Sequence, residues 1–274
     1  MAIKRFARLG LLGFYYLHPA ALIVGLRRGP RALSRYLREL YRASKVNAGA
    51  YLPVIAVEEI VKKPAEFRVF RPEEWHCSMT ISEISTICYL VSARMPKKIL
   101  EIGTYRGLTT LNLALNAPRA EVHTVDITDA WGSYYYAERS EAINIHQHYG
   151  DTATFDFAKE IGGGVDFCLI DGGHDYDRVR NDTAMVLPLM SDDGMLLWDD
   201  YGRNDFLADV ESFKVSRFLH DIRGFGIRVL HGTGLGFIEL DREVKRRLVA
   251  YLTSEPTPLR APLQESKGVP RANG

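Results

Sequence analysis

Short strand-like segments separated by amphipathic segments occupy the chain between residues 98 and 240. The segments with the strongest strand pattern are 99–102, 121–125, 143–149, 165–170 and 194–198. Most of them are short and apolar and end at turn residues, which is typical of strands buried on both faces of a parallel sheet. Two further segments, 227–230 and 235–240, flank the glycine-containing turn 231–234 and predict an antiparallel pair. The pattern therefore predicts seven strands.

Helices are predicted between these strands and before the first of them. Thr80 and Glu83 have the spacing of a capping box, and apolar residues then recur every three or four positions as far as Pro96. Strand–helix alternation closed by a hairpin is typical of an α/β fold. We therefore predict a doubly wound, seven-stranded, mostly parallel sheet with helices on both faces.

The loop after segment 99–102 has the composition of a ligand-binding turn. Its candidate binding residues are Glu101, Gly103, Thr104, Tyr105 and Gly107. The following helix would direct its free N–H groups towards the same cleft. A dinucleotide site would carry a third glycine in the pattern G-x-G-x-x-G, and an acid just before the turn would repel a pyrophosphate. The acid instead suits a cationic sulfonium amino acid.

The next predicted strand ends in Asp126, whose carboxylate could accept hydrogen bonds from two ribose hydroxyls. With this acid and the pattern E-x-G-x-x-x-G-x-x-T, the chain resembles the class I S-adenosylmethionine (SAM) dependent methyltransferases over residues 80–240. The resemblance implies a Rossmann-like fold with SAM as cofactor. It also implies that Asp151 accepts a hydrogen bond from the adenine amino group. Asp151 is followed by Thr-Ala-Thr, so a helix N-cap is the alternative interpretation.

Three further acids follow the fourth and fifth strands, and parallel strands end at one edge of a sheet. Asp171, Asp199 and Asp200 should therefore converge beside the cofactor, where a cation would offset their repulsion. Oxygen ligands favour Mg²⁺ or Ca²⁺ over zinc. The alternative is that Asp171 and Asp199 cap helices. His146 and His148 share one strand face, but no third metal ligand lies nearby in sequence, so we expect a structural role for them.

The segments L-I-D-G-G-H-D-Y and L-L-W-D-D-Y resemble the metal-assisted O-methyltransferases that act on sugars and phenols. That resemblance implies Mg²⁺ held by Asp171, Asp199 and Asp200, with Asp171 also facing the cofactor. His174 is the candidate general base, because its unperturbed pKa lies near 6.5. Relatives often carry an acid where this chain has Gly173.

Charge is distributed unevenly along the chain. The 274 residues carry a net charge of +1, so we expect no nucleic acid partner. Residues 1–45 nevertheless hold ten Lys and Arg against one acid. We predict a basic, hydrophobic helical arm at 1–45, a loop-rich cover at 46–79, the methyltransferase domain at 80–252 and a disordered tail at 253–274. Three cysteines without a disulfide or metal pattern suggest a reducing cytoplasm.

The apolar part of the arm, residues 9–26, is short for a membrane span and is interrupted by His18 and Pro19. It could lie in a membrane interface as a peripheral contact, or pack on the domain or on a second subunit. The leading functional hypothesis is a Mg²⁺-assisted SAM-dependent O-methyltransferase acting on a hydroxyl of a small molecule or glycan unit. The alternative is a non-catalytic methyltransferase-fold protein that binds a membrane or protein partner through this arm.

Overall fold

The computed structural model of the chain describes residues 52–72, 79–130, 132–201 and 212–254. Within these residues the strands are Val54–Ile55 (β1), Lys98–Ile102 (β2), Glu121–Asp126 (β3), Ile145–Tyr149 (β4), Val165–Ile170 (β5), Met190–Trp198 (β6), Arg228–Leu230 (β7) and Gly236–Glu239 (β8). The α-helices are Val57–Ile60 (α1), Ile81–Arg94 (α2), Leu108–Asn116 (α3), Phe157–Glu160 (α4), Tyr176–Val186 (α5), Ser212–Asp221 (α6) and Arg242–Ser254 (α7). Short 3₁₀ turns lie at Ser140–Ala142, Leu187–Leu189 and Arg223–Phe225. The predicted arm at 1–45 lies outside the described residues.

The strands form one mixed sheet in the order β1-β7-β8-β6-β5-β2-β3-β4. Every neighbouring pair is parallel except those of β8, which runs antiparallel to both β6 and β7. The α/β fold class and the closing hairpin are thus confirmed. The sheet has eight strands in the described residues rather than the predicted seven, because β1 adds to its edge. The N–H of Val229 donates to the carbonyl of Pro53 at 2.8 Å there.

The core lies on both faces of the sheet, as the apolar strands predict. In β2, Leu100 and Ile102 pack on one face with α5, α6 and α7, while Ile99 packs on the other face with α2 and α3. All three side chains are at most 2% exposed. Burying an aliphatic side chain of this size contributes about 1.5–3 kcal/mol. The central strands are therefore rigid supports for the loops at their carboxyl ends.

Helix α2 begins as its capping-box pattern predicts. The N–H of Thr80 donates to Glu83 Oε2 at 2.6 Å, and the N–H of Glu83 donates to Thr80 Oγ1 at 3.3 Å. The helix ends at Arg94, where Met95 takes a left-handed conformation with φ 49°. The predicted apolar face is buried at Ile84, Ile87, Cys88 and Val91.

Three predicted boundaries differ from the structure by two or more residues. Strand β4 begins at Ile145, two residues after the predicted start at 143. Strand β6 begins at Met190, four residues before the predicted start, because Val165 pairs with Met190 across an irregularity between β5 and β6. Helix α7 runs to Ser254 and so includes the first two residues assigned to the tail. The helix continues because Leu248 and Leu252, four residues apart, are both buried in the core. No helix in the described part of the chain is long and apolar enough to cross a membrane.

Three histidines stack on one face of β3 and β4. Parallel register places His123 beside His146, with ring centroids 4.9 Å apart, and His123 Nδ1 lies 3.0 Å from His148 Nε2. His123 is 7% exposed. Burial, with smaller contributions from His146 and His148, lowers the pKa of His123 to about 4. Burial also lowers the pKa of His148, so His123 and His148 favour the neutral imidazole.

We expect this stack to make stability depend on pH. The unfolded chain takes up a proton on His123 near pH 6.5, whereas the folded chain does so only near pH 4. Stability from this group is therefore complete above pH 6.5 and is lost as the pH falls towards 4, by up to about 3 kcal/mol. Urea unfolding from pH 7.5 to 4.5 should show a smaller loss for His123→Gln than for wild type.

The comparison between variants is needed because the buried carboxyls of Glu101 and Asp182 have raised pKa values and change stability in the opposite sense. His231→Gln is the matched control, because His231 is an exposed histidine in the β7–β8 turn. Equal pH slopes for His123→Gln and wild type would contradict the prediction.

Candidate functional site

The loop after β2 packs directly against the end of β5. Gly103 has φ 97°, and a Cβ atom there would lie 2.1 Å from the carbonyl oxygen of Asp171 and 2.9 Å from the Cα of Gly172. Only glycine fits this contact without a shift of the backbone. The glycine in the predicted loop therefore allows the ends of two neighbouring strands to meet at one edge.

Asp126 fixes the loop by hydrogen bonds to its backbone. Its Oδ2 accepts from the N–H groups of Thr104 at 2.9 Å and Tyr105 at 2.8 Å, and its Oδ1 accepts from the N–H of Thr128 at 3.1 Å. Each carboxylate oxygen can accept more than one hydrogen bond. Asp126 can therefore hold the loop and still accept from ribose hydroxyls, which is the role predicted for it.

A cavity of about 670 Å³ opens above this loop. Of the residues predicted to bind the cofactor or take the proton, its lining includes Gly103, Thr104, Tyr105, Asp126, Asp151, Asp171 and His174. Two predicted cofactor residues, Glu101 and Gly107, are not among the lining residues. The cavity lies at the carboxyl ends of parallel strands, where α/β folds bind their ligands.

Glu101 lies beneath the loop rather than in the cavity. It is fully buried, and its Oε2 accepts hydrogen bonds from Thr110 Oγ1 at 2.5 Å and Thr124 Oγ1 at 2.6 Å. Burial raises the pKa of Glu101 to about 7. Thr124 Oγ1 also lies 2.7 Å from Thr104 Oγ1, so Glu101 is linked to the cavity wall through two threonines. A direct contact between Glu101 and the cofactor remains a prediction.

Gly107 makes the turn into α3. It has φ 78°, and a Cβ atom there would lie 2.3 Å from the ring of Tyr136. Of the three adjacent tyrosines, Tyr135 and Tyr136 are 8% exposed and packed in the core, whereas Tyr134 is 59% exposed. None of the three is among the residues that line the cavity.

Asp151 follows β4 and lines the cavity. Its Oδ1 accepts from the N–H of Ala153 at 3.0 Å and lies 3.9 Å from Arg178 Nη1. The residues after it form a turn, and the nearby helix α4 is capped by Asp156 instead. Asp151 is thus placed as an adenine acceptor requires, and its contact with adenine stays a prediction.

Asp171, Asp199 and Asp200 converge as predicted. Each offers a carboxylate oxygen, and these oxygens lie within 4.8 Å of one another; in the described ranges no other three acidic, histidine or cysteine ligands do so. Asp199 and Asp200 are only 3% and 8% exposed. Helix α5 is capped by Asp175, whose Oδ1 accepts from the N–H of Arg178, so Asp171 does not cap that helix.

His174 borders the same cluster. Its Nδ1 pairs with Asp200 Oδ2, and its side chain is 41% exposed on the cavity side. An imidazole oriented through one nitrogen can accept a proton at the other. The arrangement therefore places a candidate base beside three candidate cation ligands. Of these four residues, Asp171 and His174 line the cavity, whereas Asp199 and Asp200 are not among its lining residues.

Known proteins of similar sequence and structure share this architecture. Residues 100–201 match the model of a family described as a methyltransferase domain. The matched residues include Asp126, Asp171, Asp199 and Asp200, so this part of the chain is similar to a methyltransferase domain. The SAH-bound methyltransferase PaMTH1 from Podospora anserina has a TM-score of 0.50 and 18% identity, over 59% of this chain and 79% of that chain. At that identity the likeness shows the fold.

Two other proteins are also similar to part of this chain. The O-methyltransferase TomG from Streptomyces achromogenes, in complex with SAM, has a TM-score of 0.48 and 18% identity, over 60% of this chain and 82% of that chain. The uncharacterized protein R132 of Acanthamoeba polyphaga mimivirus is 25% identical over 145 residues, 46% of this chain and 66% of the relative. The chain thus spans just under two thirds of that relative.

The cavity also contains polar residues that sequence reasoning missed. Arg178 and Asp182 project from α5, and Thr152 Oγ1 donates to Asp182 Oδ1 at 2.6 Å. Burial raises the pKa of Asp182 to about 6. An Arg and an Asp four residues apart in the first two turns of α5 were the available signal.

Removing the Asp126 carboxylate should weaken SAM binding. Asp126→Ala leaves ribose hydroxyls and two loop N–H groups without an acceptor, which should cost about 1–3 kcal/mol. Calorimetric titration with SAM measures the change. Asp129→Ala removes the same charge from an exposed position three residues away and is the matched control. Equal SAM affinities for the two variants would exclude Asp126 from the binding site.

Proposed function

We propose that the protein is a Mg²⁺-assisted O-methyltransferase that transfers the methyl group of SAM to a hydroxyl of a small molecule or glycan unit. The convergence of Asp171, Asp199 and Asp200 beside the cofactor cavity is the observation that carries this proposal. Three carboxylates this close repel one another unless a cation or a shared proton compensates. Their oxygens are ligands of the kind that Mg²⁺ prefers.

The residues of the site fit both groups. Gly103 leaves the loop without a side chain at the strand ends, Asp126 supplies the ribose acceptor, and Asp171, Asp199 and Asp200 supply hard oxygen ligands. When bound, SAM supplies an electrophilic methyl group, and Mg²⁺ would lower the pKa of a coordinated hydroxyl. Asp171 lines the cavity and is therefore the acid that would border both groups.

The chain itself must orient the acceptor and remove its proton. Asp200 holds His174 through Nδ1, so the acceptor proton would move to Nε2. The buried position of Asp199 keeps water from competing for its carboxylate. Positioning is the larger task, because transfer requires the acceptor oxygen to be in line with the methyl carbon.

We expect activity to require a divalent cation. Asp199→Asn should reduce methyl transfer at least about a hundredfold, because it weakens both activation and positioning of the acceptor, while SAM affinity should change little. Release of S-adenosylhomocysteine against a panel of polyols and phenols is the assay. EDTA should abolish wild-type turnover and Mg²⁺ should restore it.

The matched control is Asp193→Asn, which alters an exposed acid on the same strand. Its turnover should equal that of wild type. Turnover of wild type that is unaffected by EDTA would refute the metal requirement and leave His174 as the only activating group proposed.

The second candidate function uses the basic arm at residues 1–45, favoured by its ten cationic residues and one acid. If the arm binds an anionic membrane surface, deletion of residues 1–45 should abolish sedimentation with phosphatidylserine vesicles, and salt should weaken binding by wild type. Methyl transfer should survive the deletion. A deletion variant that changes from dimer to monomer, with no change in vesicle binding, would instead support subunit packing.

A further inference from the structure

The turn that carries Asp199 and Asp200 is held by backbone hydrogen bonds on both sides. Asp200 has φ 64°, a left-handed conformation that is uncommon for residues other than glycine, although Asp adopts it more readily than most. Before it, the N–H of Asp199 donates to the carbonyl of Ile170 at 3.1 Å. After it, the N–H of Tyr201 donates to the carbonyl of Gly234 at 2.8 Å. The conformation of Asp200 therefore depends on where Gly234 lies.

Gly234 is in turn held by a buried carboxylate of a residue that is distant in the sequence. Its N–H donates to Glu83 Oε1 at 2.8 Å, and Glu83 is 2% exposed in the first turn of α2. A Cβ atom on Gly234 would lie 3.0 Å from Glu83 Oε1 and 3.3 Å from the carbonyl oxygen of Tyr201. Helix α2, the β7–β8 turn and the turn after β6 thus meet at one glycine.

Helix capping accounts for only one oxygen of Glu83. Oε2 accepts from the N–H of Thr80 at 2.6 Å and from its hydroxyl at 2.9 Å, which completes the capping box. Oε1 serves a residue 151 positions away. The hydrogen bond to Oε1 therefore fixes the position of Gly234, and the helix cap does not require that bond.

We propose that Glu83 is a positioning residue for the cation site. Resting on the proposed function above, this role connects Glu83 Oε1 through Gly234 and the N–H of Tyr201 to the left-handed residue Asp200. Glu83 touches neither substrate nor cation. It sets the direction of the Asp200 carboxylate by holding the turn on which that side chain is mounted. Residues that orient metal ligands in this way commonly change metal affinity when mutated.

The test compares Glu83→Ala with Thr80→Ala in the full chain. Both variants break the capping box, so both should lower the melting temperature. Only Glu83→Ala also releases Gly234. We expect it to weaken Mn²⁺ binding about tenfold, measured by electron paramagnetic resonance of free Mn²⁺, with SAM affinity unchanged within about twofold. Thr80→Ala should bind Mn²⁺ as wild type does.

Glu83→Gln is the second variant, for use if the alanine variant does not fold. Its single carbonyl oxygen cannot serve both Gly234 and Thr80, so Mn²⁺ affinity should fall several-fold, on the order of half the logarithmic loss in the alanine variant. Folded Glu83 variants that bind Mn²⁺ like Thr80→Ala would overturn the positioning role alone. A wild-type protein that binds no Mn²⁺ would overturn the proposed metal chemistry and this role together.

Discussion

Asp171, Asp199 and Asp200 repel one another, and the structure at this edge of the sheet has to compensate for that repulsion. Two of these acids are almost fully buried, and their oxygens lie within 4.8 Å of one another. Such a cluster persists only where the backbone fixes it and either opposite charge or a shared proton compensates the repulsion. The strand ends provide the first condition, and a bound cation would provide the second. His174, paired with Asp200, adds a group that can become positive in the same place.

The apolar sheet beneath the site supplies the rigidity that this cluster requires. Strands β2, β5 and β6 are adjacent, and each is buried on both faces. Their loops emerge at one edge, so the cofactor turn and the acidic cluster rest on three neighbouring strands. Polar groups in this core are often hydrogen-bonded: Trp198 Nε1, for example, donates to Thr183 Oγ1 at 2.9 Å. The site thus rests on close packing and not on long flexible side chains.

The sequence was sufficient to predict most strands, because β2, β3 and β5 are apolar runs with clear ends. It did not reveal β1, whose two residues are strand only through hydrogen bonds to β7, more than 170 residues later. It also did not reveal that His123 joins His146 and His148. Alternation within one strand shows which residues share a face, but register between strands depends on the folded sheet.

The site residues whose positions were predicted best are those at the carboxyl ends of strands. The positions of Asp126, Asp171, Asp199 and Asp200 follow from strand order alone. Glu101 was expected to face the cofactor, yet its oxygen turns towards Thr110 and Thr124 beneath the loop. Strand order gives the location of a residue at a strand end, but not whether its side chain faces the cavity or the core. Glu83 could be recognised as a capping residue, but its contact with Gly234 required the tertiary fold.

The contact between Gly103 and Asp171 has a consequence for how donor and acceptor are aligned. The cofactor turn and the first acid of the cluster touch through main-chain atoms, with no side chain between them. Peptide planes are stiff, whereas rotamers change readily. In the proposed function, the spacing between the methyl donor and the acceptor site would therefore be set by main-chain packing at this point. Variation of the outer cavity wall would then alter which acceptor enters without disturbing the alignment on which transfer would depend.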